Sequence, residues 1–242
     1  MGIFSLLAVL LLESLRPLLY RRIVQAPLSW IAGFLEHRLN AGERSYGVLA
    51  WLSAVGVSVL LAWGVYAALY AFSPLFAWAW NVLILYLTMG FRQSIDYFTE
   101  IQLALRLNDL SHARKLLAEW LGHSAKDLSS SDIARLSIEG AFRVSHHHIF
   151  GVLVCFVLLP GPCGAVLYRL AVFLAEEWGE QTDTDMGYFG RFSQQAFAVI
   201  DWLPSRVTAA GFAIVGNFED AVYSWRTQAG VWPEQKTGSG LS

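Results

Sequence analysis

An uncharged stretch of 47 residues, from 45 to 91, is the feature that most constrains the fold. It contains no Asp, Glu, Lys or Arg, and it is flanked by Arg44 and Arg92. About 20 apolar residues cross the hydrocarbon core of a bilayer as one helix. The stretch is therefore long enough for two crossings and the turn between them.

Residues 71–74 are the natural place for that turn. Pro74 cannot continue a helix, and it restricts the conformation of the residue before it. We therefore predict a transmembrane hairpin with helices at residues 47–70 and 75–91. A buried hairpin in a large soluble protein is the alternative, but soluble cores rarely contain such a long uncharged run.

The composition of the whole chain agrees with a membrane protein, because only 15% of its residues are charged against roughly 25% in soluble domains. A net charge of −2 argues against a nucleic-acid partner, which requires a basic surface.

Cys155 and Cys163 lie in an apolar stretch and are expected to be small buried hydrophobes, not a disulfide or metal pair. The apolar residues 1–12 lack the preceding charge and cleavage site of a secretory signal, so we expect an inserted helix of about 15 residues that Pro17 ends.

Positive charge predicts which side of the membrane is cytoplasmic. Residues 13–44 carry five Lys or Arg, which places them, and both ends of the hairpin, inside. Seven basic and seven acidic residues are then mixed evenly from 92 to 143, among apolar residues at helical spacing. We predict two amphipathic helices joined near Asp109 and a third that begins with Ser129 and Asp132 as a capping box. Together they form a cytoplasmic helical layer of about 50 residues.

A second apolar segment is broken in the middle by a Pro-Gly sequence at residues 160–164. Its halves, residues 149–159 and 165–175, are each about 16 Å long as helices, or half a bilayer. The segment is either one kinked span or a re-entrant pair of half-helices, and we favour the pair. Arg169 would be costly in lipid, so it should face the protein interior, a partner or water.

The C-terminal third returns to helical periodicity. Residues 192–203 predict a helix that ends at Pro204, and residues 207–218 predict a helix too short to span. The predicted fold class is an all-α polytopic membrane protein with a transmembrane hairpin, a broken or re-entrant segment and a cytoplasmic amphipathic layer. The predicted units are the N-terminal membrane helices (1–91, with the hairpin at 47–91), the layer (92–148), a membrane-associated segment (149–225) and a flexible tail (226–242).

Few residues point to chemistry by themselves. The common phosphate-loop, dinucleotide, zinc-protease and C-x-x-C motifs are absent from the sequence. Consecutive helical residues point about 100° apart, so His146, His147 and His148 cannot share one metal ion on a regular helix. We expect interfacial or hydrogen-bonded histidines. Glu139 and Arg169 could bind a phosphate-bearing or amine-bearing substrate, although a structural ion pair is favoured.

Four segments, taken in order, resemble the CobD/CbiB family of cobalamin biosynthesis. They are residues 104–114 (ALRLNDLSHAR), 127–139 (DLSSSDIARLSIE), 164–169 (GAVLYR) and 204–209 (PSRVTA). The similarity covers about residues 100–225. AmpE, a membrane protein of the same wider group that is associated with β-lactamase regulation, is similar at residues 108–114 and 201–206 and in the apolar N-terminus ending at Glu13.

The synthase branch of this family implies a bacterial inner-membrane, multi-pass enzyme that joins an amino alcohol phosphate to adenosylcobyric acid through an amide bond. The reaction needs ATP and Mg²⁺ but no permanently bound cofactor. The implied partners are the lipid bilayer, a corrinoid substrate, and membrane proteins or a second copy of the chain. The resemblance nominates seven substrate-binding residues, which are Asp109, Arg114, Asp127, Glu139, Arg169, Asp201 and Arg206.

Departures from the family pattern favour the AmpE-like branch. The early His-Pro segment is missing, residues 143–148 replace the family's "EN..DG", and residues 170–175 replace its "NTLDSM". With Pro204 as the anchor, Asp201 stands where the family has Asn. The resemblance thus implies a non-catalytic sensor or assembly protein without a metal site, and the synthase is the alternative. Family members also continue past the equivalent of Ser242, so we expect a C-terminal segment to be missing.

Overall fold

The computed structural model of the chain describes residues 2–15, 26, 28–29, 32–33, 44–89, 92–122, 127–179 and 187–215. Every regular element in these residues is helical, which confirms the all-α class. The helices are α1 (Gly2–Leu15), α2 (Arg44–Phe72), α3 (Pro74–Met89), α4 (Arg92–Arg106), α5 (Leu110–Leu121), α6 (Ser130–Ser145), α7 (Gly151–Leu158), α8 (Cys163–Gly179) and α9 (Gly187–Val215), with a π-helical turn at His146–Phe150. The flexible tail, the break at Pro17 and most of the basic segment before α2 lie outside the described residues.

Helices α2 and α3 form the predicted hairpin. The turn lies at Ser73, whose carbonyl accepts a hydrogen bond from the Phe76 amide at 3.1 Å. Pro74 is the first residue of α3, a position where its missing N–H costs nothing. The indole of Trp80 donates to the Ala62 carbonyl at 3.1 Å and ties the two helices together. By length and composition, Gly47–Phe72 is long and apolar enough to cross a membrane.

Helices α4, α5 and α6 make the amphipathic layer. The Asp109 side chain caps α5 by accepting from the His112 amide, and Ser129 and Asp132 form the predicted capping box of α6. Both caps satisfy amides that have no partner within the helix. The apolar faces meet in a small core of Ile101, Ala104, Ala113, Leu116, Leu117 and Ile133.

Helix α6 does not stop at the edge of the layer. It continues through the π-helical turn into α7, and Ser130–Leu158 is the second stretch long and apolar enough to span a membrane. After a turn at residues 159–162 the chain returns as α8. A Cβ added to Gly164 would lie 1.8 Å from the Cys155 carbonyl oxygen, so only glycine allows α7 and α8 to approach this closely. The predicted break in the apolar segment is therefore this turn.

Helix α8 is the centre of the membrane part, because it packs against α2, α3, α7 and α9. Most of its side chains are buried, including Cys163 and Arg169. Its two faces belong to separate apolar clusters. One cluster joins it to α1, α3 and α7, and the other joins it to α2.

Helix α9 runs unbroken through Pro204, so the predicted helix end at Pro204 and a separate helix from residue 207 are wrong. Proline removes only one backbone donor, the one that would bond the Ile200 carbonyl, and its cost is about 3 kcal/mol. Pro204 is buried, and Ile200 packs against both membrane clusters. This packing offsets the local cost of the proline.

Candidate functional site

Four polar side chains from three elements meet where the layer joins the membrane helices. His146 opens the π-helical turn, Tyr168 lies on α8, and Asp201 and Thr208 lie on α9. His146 Nε2 is 2.8 Å from Asp201 Oδ1, and the Tyr168 hydroxyl donates to the same oxygen at 2.7 Å. His146 Nδ1 is 3.0 Å from the Thr208 hydroxyl. We call these four residues the polar cluster.

The π-helical turn gives each of the three consecutive histidines a different partner. His147 Nδ1 lies 3.6 Å from Glu176 Oε1 on α8, and His148 Nδ1 contacts the Met89 carbonyl at 3.0 Å. The hydrogen-bonded interpretation is therefore confirmed for His146 and His148. Among the described residues, no group of three or more His, Cys, Asp or Glu side chains could hold a metal ion.

Gly151 makes room for Tyr168. A Cβ at this position would lie 2.0 Å from Cζ of the Tyr168 ring and 2.2 Å from its hydroxyl oxygen. The tyrosine ring is fully buried and lies against the bare backbone of the helix that carries His146. One glycine thus sets the position of the hydroxyl that donates to Asp201.

Thr208 also ties the polar cluster to its own helix. Its hydroxyl donates to the Pro204 carbonyl at 2.8 Å, and its side chain is buried. Each of the four side chains of the cluster thus has a hydrogen-bond partner, as buried polar groups require.

Arg169 follows Tyr168 in the chain and is only 6% exposed, as predicted for a charge that must avoid lipid. Its guanidinium is close enough for its charge to act on His148 and Glu176. The favoured ion pair between Arg169 and Glu139 is not found among the described residues. Glu139 is exposed, and its carboxylate pairs with Arg135 at 2.8 Å. Arg169 thus adds positive charge beside the polar cluster.

The other nominated residues have local contacts in the described structure. Asp109 caps α5, and the bonds it accepts from the His112 amide and the Ser111 hydroxyl lower its pKa. Arg114 donates twice to the Leu128 carbonyl, at 2.7 and 3.0 Å. The exposed Asp127 lies in the turn before α6, and the Arg206 guanidinium lies 4.0 Å from the centre of the Trp202 ring. Substrate binding by these four stays a prediction.

Only Asp201 and Arg169, of the seven nominated residues, lie at the polar cluster. Sequence reasoning did not nominate His146, Tyr168 or Thr208. Tyr168 and Thr208 do fall within two of the four family-like segments, at residues 164–169 and 204–209, and that was the available signal. Nothing in the sequence indicated that His146 would meet Asp201, which lies 55 residues away.

A family model described as CobD/Cbib protein matches residues 22–240, most of the chain. The chain belongs to the CobD/Cbib family. This CobD/Cbib chain is 30% identical over 243 residues to "Cobalamin biosynthesis protein CobD" of Stutzerimonas stutzeri, covering 98% of the chain and 78% of the relative.

Two further relatives have similar names. The chain is 31% identical over 157 residues to "Cobalamin biosynthesis protein CobD" of Chromobacterium violaceum, across 65% of the chain and 50% of the relative. It is 26% identical over 217 residues to "Cobalamin biosynthesis protein CbiB" of Salmonella typhi, across 83% and 67%. No solved structure matches. The relatives carry cobalamin names, and none of these findings supports the AmpE-like interpretation.

Proposed function

We propose that this protein is a cobinamide-phosphate-synthase-like enzyme, which forms the amide bond between adenosylcobyric acid and an amino alcohol phosphate. The observation that carries the proposal is the family match over residues 22–240, together with relatives named for cobalamin biosynthesis. The non-catalytic sensor is now the less favoured function. Its main argument was the loss of polar family residues, and the polar cluster supplies other polar side chains in their place.

The substrates fit the charges at the junction of layer and membrane. An amino alcohol phosphate carries an ammonium group and a phosphate, and Asp201 and Arg169 offer one charge of each sign. MgATP would arrive as a co-substrate. Mg²⁺ would arrive with the nucleotide, because this ion is usually held by one or two carboxylates plus substrate phosphates.

We further propose a multi-pass inner-membrane placement in which α7 and α8 re-enter without crossing. His147, at the start of this helical hairpin, lies 3.6 Å from Glu176, near its end. The start and the end of the hairpin therefore lie at the same depth relative to the membrane. From His146 to Leu158 the first leg is about 13 residues, or ~20 Å, which is shorter than a ~30 Å hydrocarbon core.

The tip of the α7–α8 hairpin supports the same placement. A Cβ on Gly161, in the turn, would lie 3.1 Å from the Tyr66 ring of α2. Tyr66 is seven residues before the Ser73 turn, which is about 10 Å along a helix. The tip therefore ends about 10 Å short of the turn of the α2–α3 hairpin.

Complementation tests the proposed enzyme. A strain that lacks its cobinamide-phosphate synthase and is fed cobyric acid should regain corrinoid-dependent growth when this gene is expressed. Asp201→Ala should abolish the rescue, because it removes the acceptor of both His146 and Tyr168. Asp96→Asn, on the exposed side of α4, is the matched control and should rescue normally.

Feeding cobinamide, which already contains the amide, shows that later steps work in every strain. Failure of the wild-type chain to rescue, at a membrane level equal to that of a functional synthase, would overturn the proposal in favour of the sensor.

A further inference from the structure

A second group of charged side chains lies beside the polar cluster, on the π-helical turn and the helices around it. Arg143, near the end of α6, and His147, in the π-helical turn, are four residues apart, and side chains at this spacing share one face of a helix. Opposite them, Glu176 Oε1 of α8 lies 3.6 Å from His147 Nδ1. We call Arg143, His147 and Glu176 the charged cluster.

The charged cluster is adjacent to the polar cluster but distinct from it. His147 directly follows His146, and consecutive helical residues point about 100° apart, so the two clusters lie on neighbouring sides of the π-helical turn. The charged cluster is also open to a ligand, because the Glu176 side chain is 61% exposed and Arg143 is exposed as well. In the proposed placement it lies at the layer end of the α7–α8 hairpin, which a cytoplasmic ligand can reach.

Positive charge exceeds negative charge around Glu176. The guanidinium groups of Arg143 and of the buried Arg169 both act on this carboxylate by their charge, in addition to the contact with His147. One imidazole would be enough for a structural ion pair with an exposed carboxylate. Two further cations give a surplus that suits a phosphate-bearing ligand, because the guanidinium fork matches the geometry of phosphate oxygens.

Glu176 determines which phosphate compound fits. A carboxylate among these cations repels a bare phosphate, whereas Mg²⁺ is usually held by one or two carboxylates together with substrate phosphates. One accessible carboxylate beside several cations therefore matches a magnesium-bound polyphosphate better than the metal-free phosphate of the amino alcohol.

We propose that the charged cluster binds the triphosphate of MgATP. Arg143 and His147 contact the phosphate oxygens, and Glu176 is the protein ligand of the Mg²⁺ that the nucleotide brings. The proposal rests on the proposed function for the choice of ATP, and it deepens that function by assigning the nucleotide to a place beside the polar cluster. Arg169 adds positive charge from the protein interior and is not assigned a contact.

Nucleotide binding to the purified full-length protein in lipid nanodiscs tests this site. The probe is adenylyl imidodiphosphate, a non-hydrolysable ATP analogue, with either Mg²⁺ or EDTA, and the wild type should bind it more tightly with Mg²⁺. Arg143→Gln should weaken binding at least about tenfold in both conditions, the usual effect of losing one charge-assisted hydrogen bond. Arg143→Lys keeps the charge and should recover part of the affinity.

Glu176→Gln separates the contact with the metal from the contacts with the phosphates. It removes a metal ligand and a negative charge, so Mg²⁺ should no longer improve binding, and the metal-free analogue should bind at least as tightly as it does to the wild type. A misfolded variant would not show this opposite pair of effects. Arg135→Gln on α6 and Glu119→Gln on α5 are the matched controls, because both residues are exposed and have ion pairs of their own, and they should bind the analogue as the wild type does.

The outcomes separate this inference from the proposed function. The nucleotide site is overturned by a wild type that does not bind the analogue, by an unchanged affinity in Arg143→Gln, or by a Mg²⁺ effect that persists in Glu176→Gln, even if the gene complements. The expected pattern of binding in a chain that fails to complement upholds the nucleotide site and overturns only the synthase.

Discussion

At the scale of single residues, the sequence predicted contacts between neighbours in the chain but not contacts between distant residues. The caps by Asp109 and by Ser129 with Asp132 were predicted because their partners lie within three residues. The contact of His146 with Thr208 joins residues 62 apart. It depends on how α9 packs against the π-helical turn, and a single sequence holds no pattern for such a pairing.

Gly151 carries a residue-scale prediction. Replacing it with alanine should push the Tyr168 ring out of place and break its bond to Asp201, and overpacking of this kind costs about 1–3 kcal/mol. Thermal unfolding of the purified protein in detergent should show a lower midpoint. Gly56→Ala on α2 is the matched control, because a Cβ there meets nothing within 4 Å. An equal midpoint for both variants would contradict the close packing at Gly151.

At the scale of elements, helix lengths followed the sequence except where packing overrode a local rule. The hairpin turn fell at Ser73, beside the predicted proline, because Pro74 could begin α3 without losing a hydrogen bond. Pro204, in contrast, lies inside α9. The helix continues through it because Ile200 packs on the apolar clusters and Thr208 contacts His146. The π-helical turn could not be predicted either, because the partners of its three histidines lie on three elements that are distant in the sequence.

Acid should loosen the start of α5. The pKa of Asp109 is lowered below its ordinary value of 3.8 by the bonds from His112 and Ser111. Because this pKa is lowered in the folded state, the ionised carboxylate stabilises the helix start at any pH above the ordinary value. The stabilisation is lost as the pH falls through the lower pKa of the folded state. Hydrogen-exchange protection of the first amides of α5 should therefore fall in this range.

Asp109→Asn is the control for the acid effect. Asparagine is an equally good N-cap residue but does not titrate, so its protection should not change with pH. A wild type whose protection is as flat as that of Asp109→Asn would contradict the assigned cap.

At the scale of the whole molecule, composition predicted an all-helical membrane protein, and the described residues are helical throughout their regular elements. The sequence did not predict that α8 would be the central helix. Its apolar part is too short to mark it as a span, and its central position arises from small residues such as Gly164, where α7 approaches closely. How closely two helices approach depends on the residues of both, so the hydrophobic pattern of α8 alone could not predict its position.

Single cysteines test the re-entrant placement. With Cys155 and Cys163 replaced by alanine, cysteines at Ser131 and at Leu159, in the turn of the α7–α8 hairpin, should both resist a membrane-impermeant thiol reagent that enters the periplasm. A cysteine at Ser73, in the turn of the α2–α3 hairpin, should be labelled. If Leu159 is labelled together with Ser73, the α7–α8 hairpin crosses the membrane and the placement is wrong.

A hairpin that ends part-way has a consequence for the lipids around it. On the proposed placement, α2 and α3 reach the far leaflet, whereas the α7–α8 tip exposes Val157 at 71%, Leu158 at 56% and Leu159 at 38% to acyl chains beneath it. The protein then occupies more area in the leaflet beside the helical layer than in the opposite one. Such a wedge-shaped cross-section makes the lateral pressure differ between the two leaflets around the protein. Lipids whose own shape fills the space beneath the tip should collect there and reduce this difference.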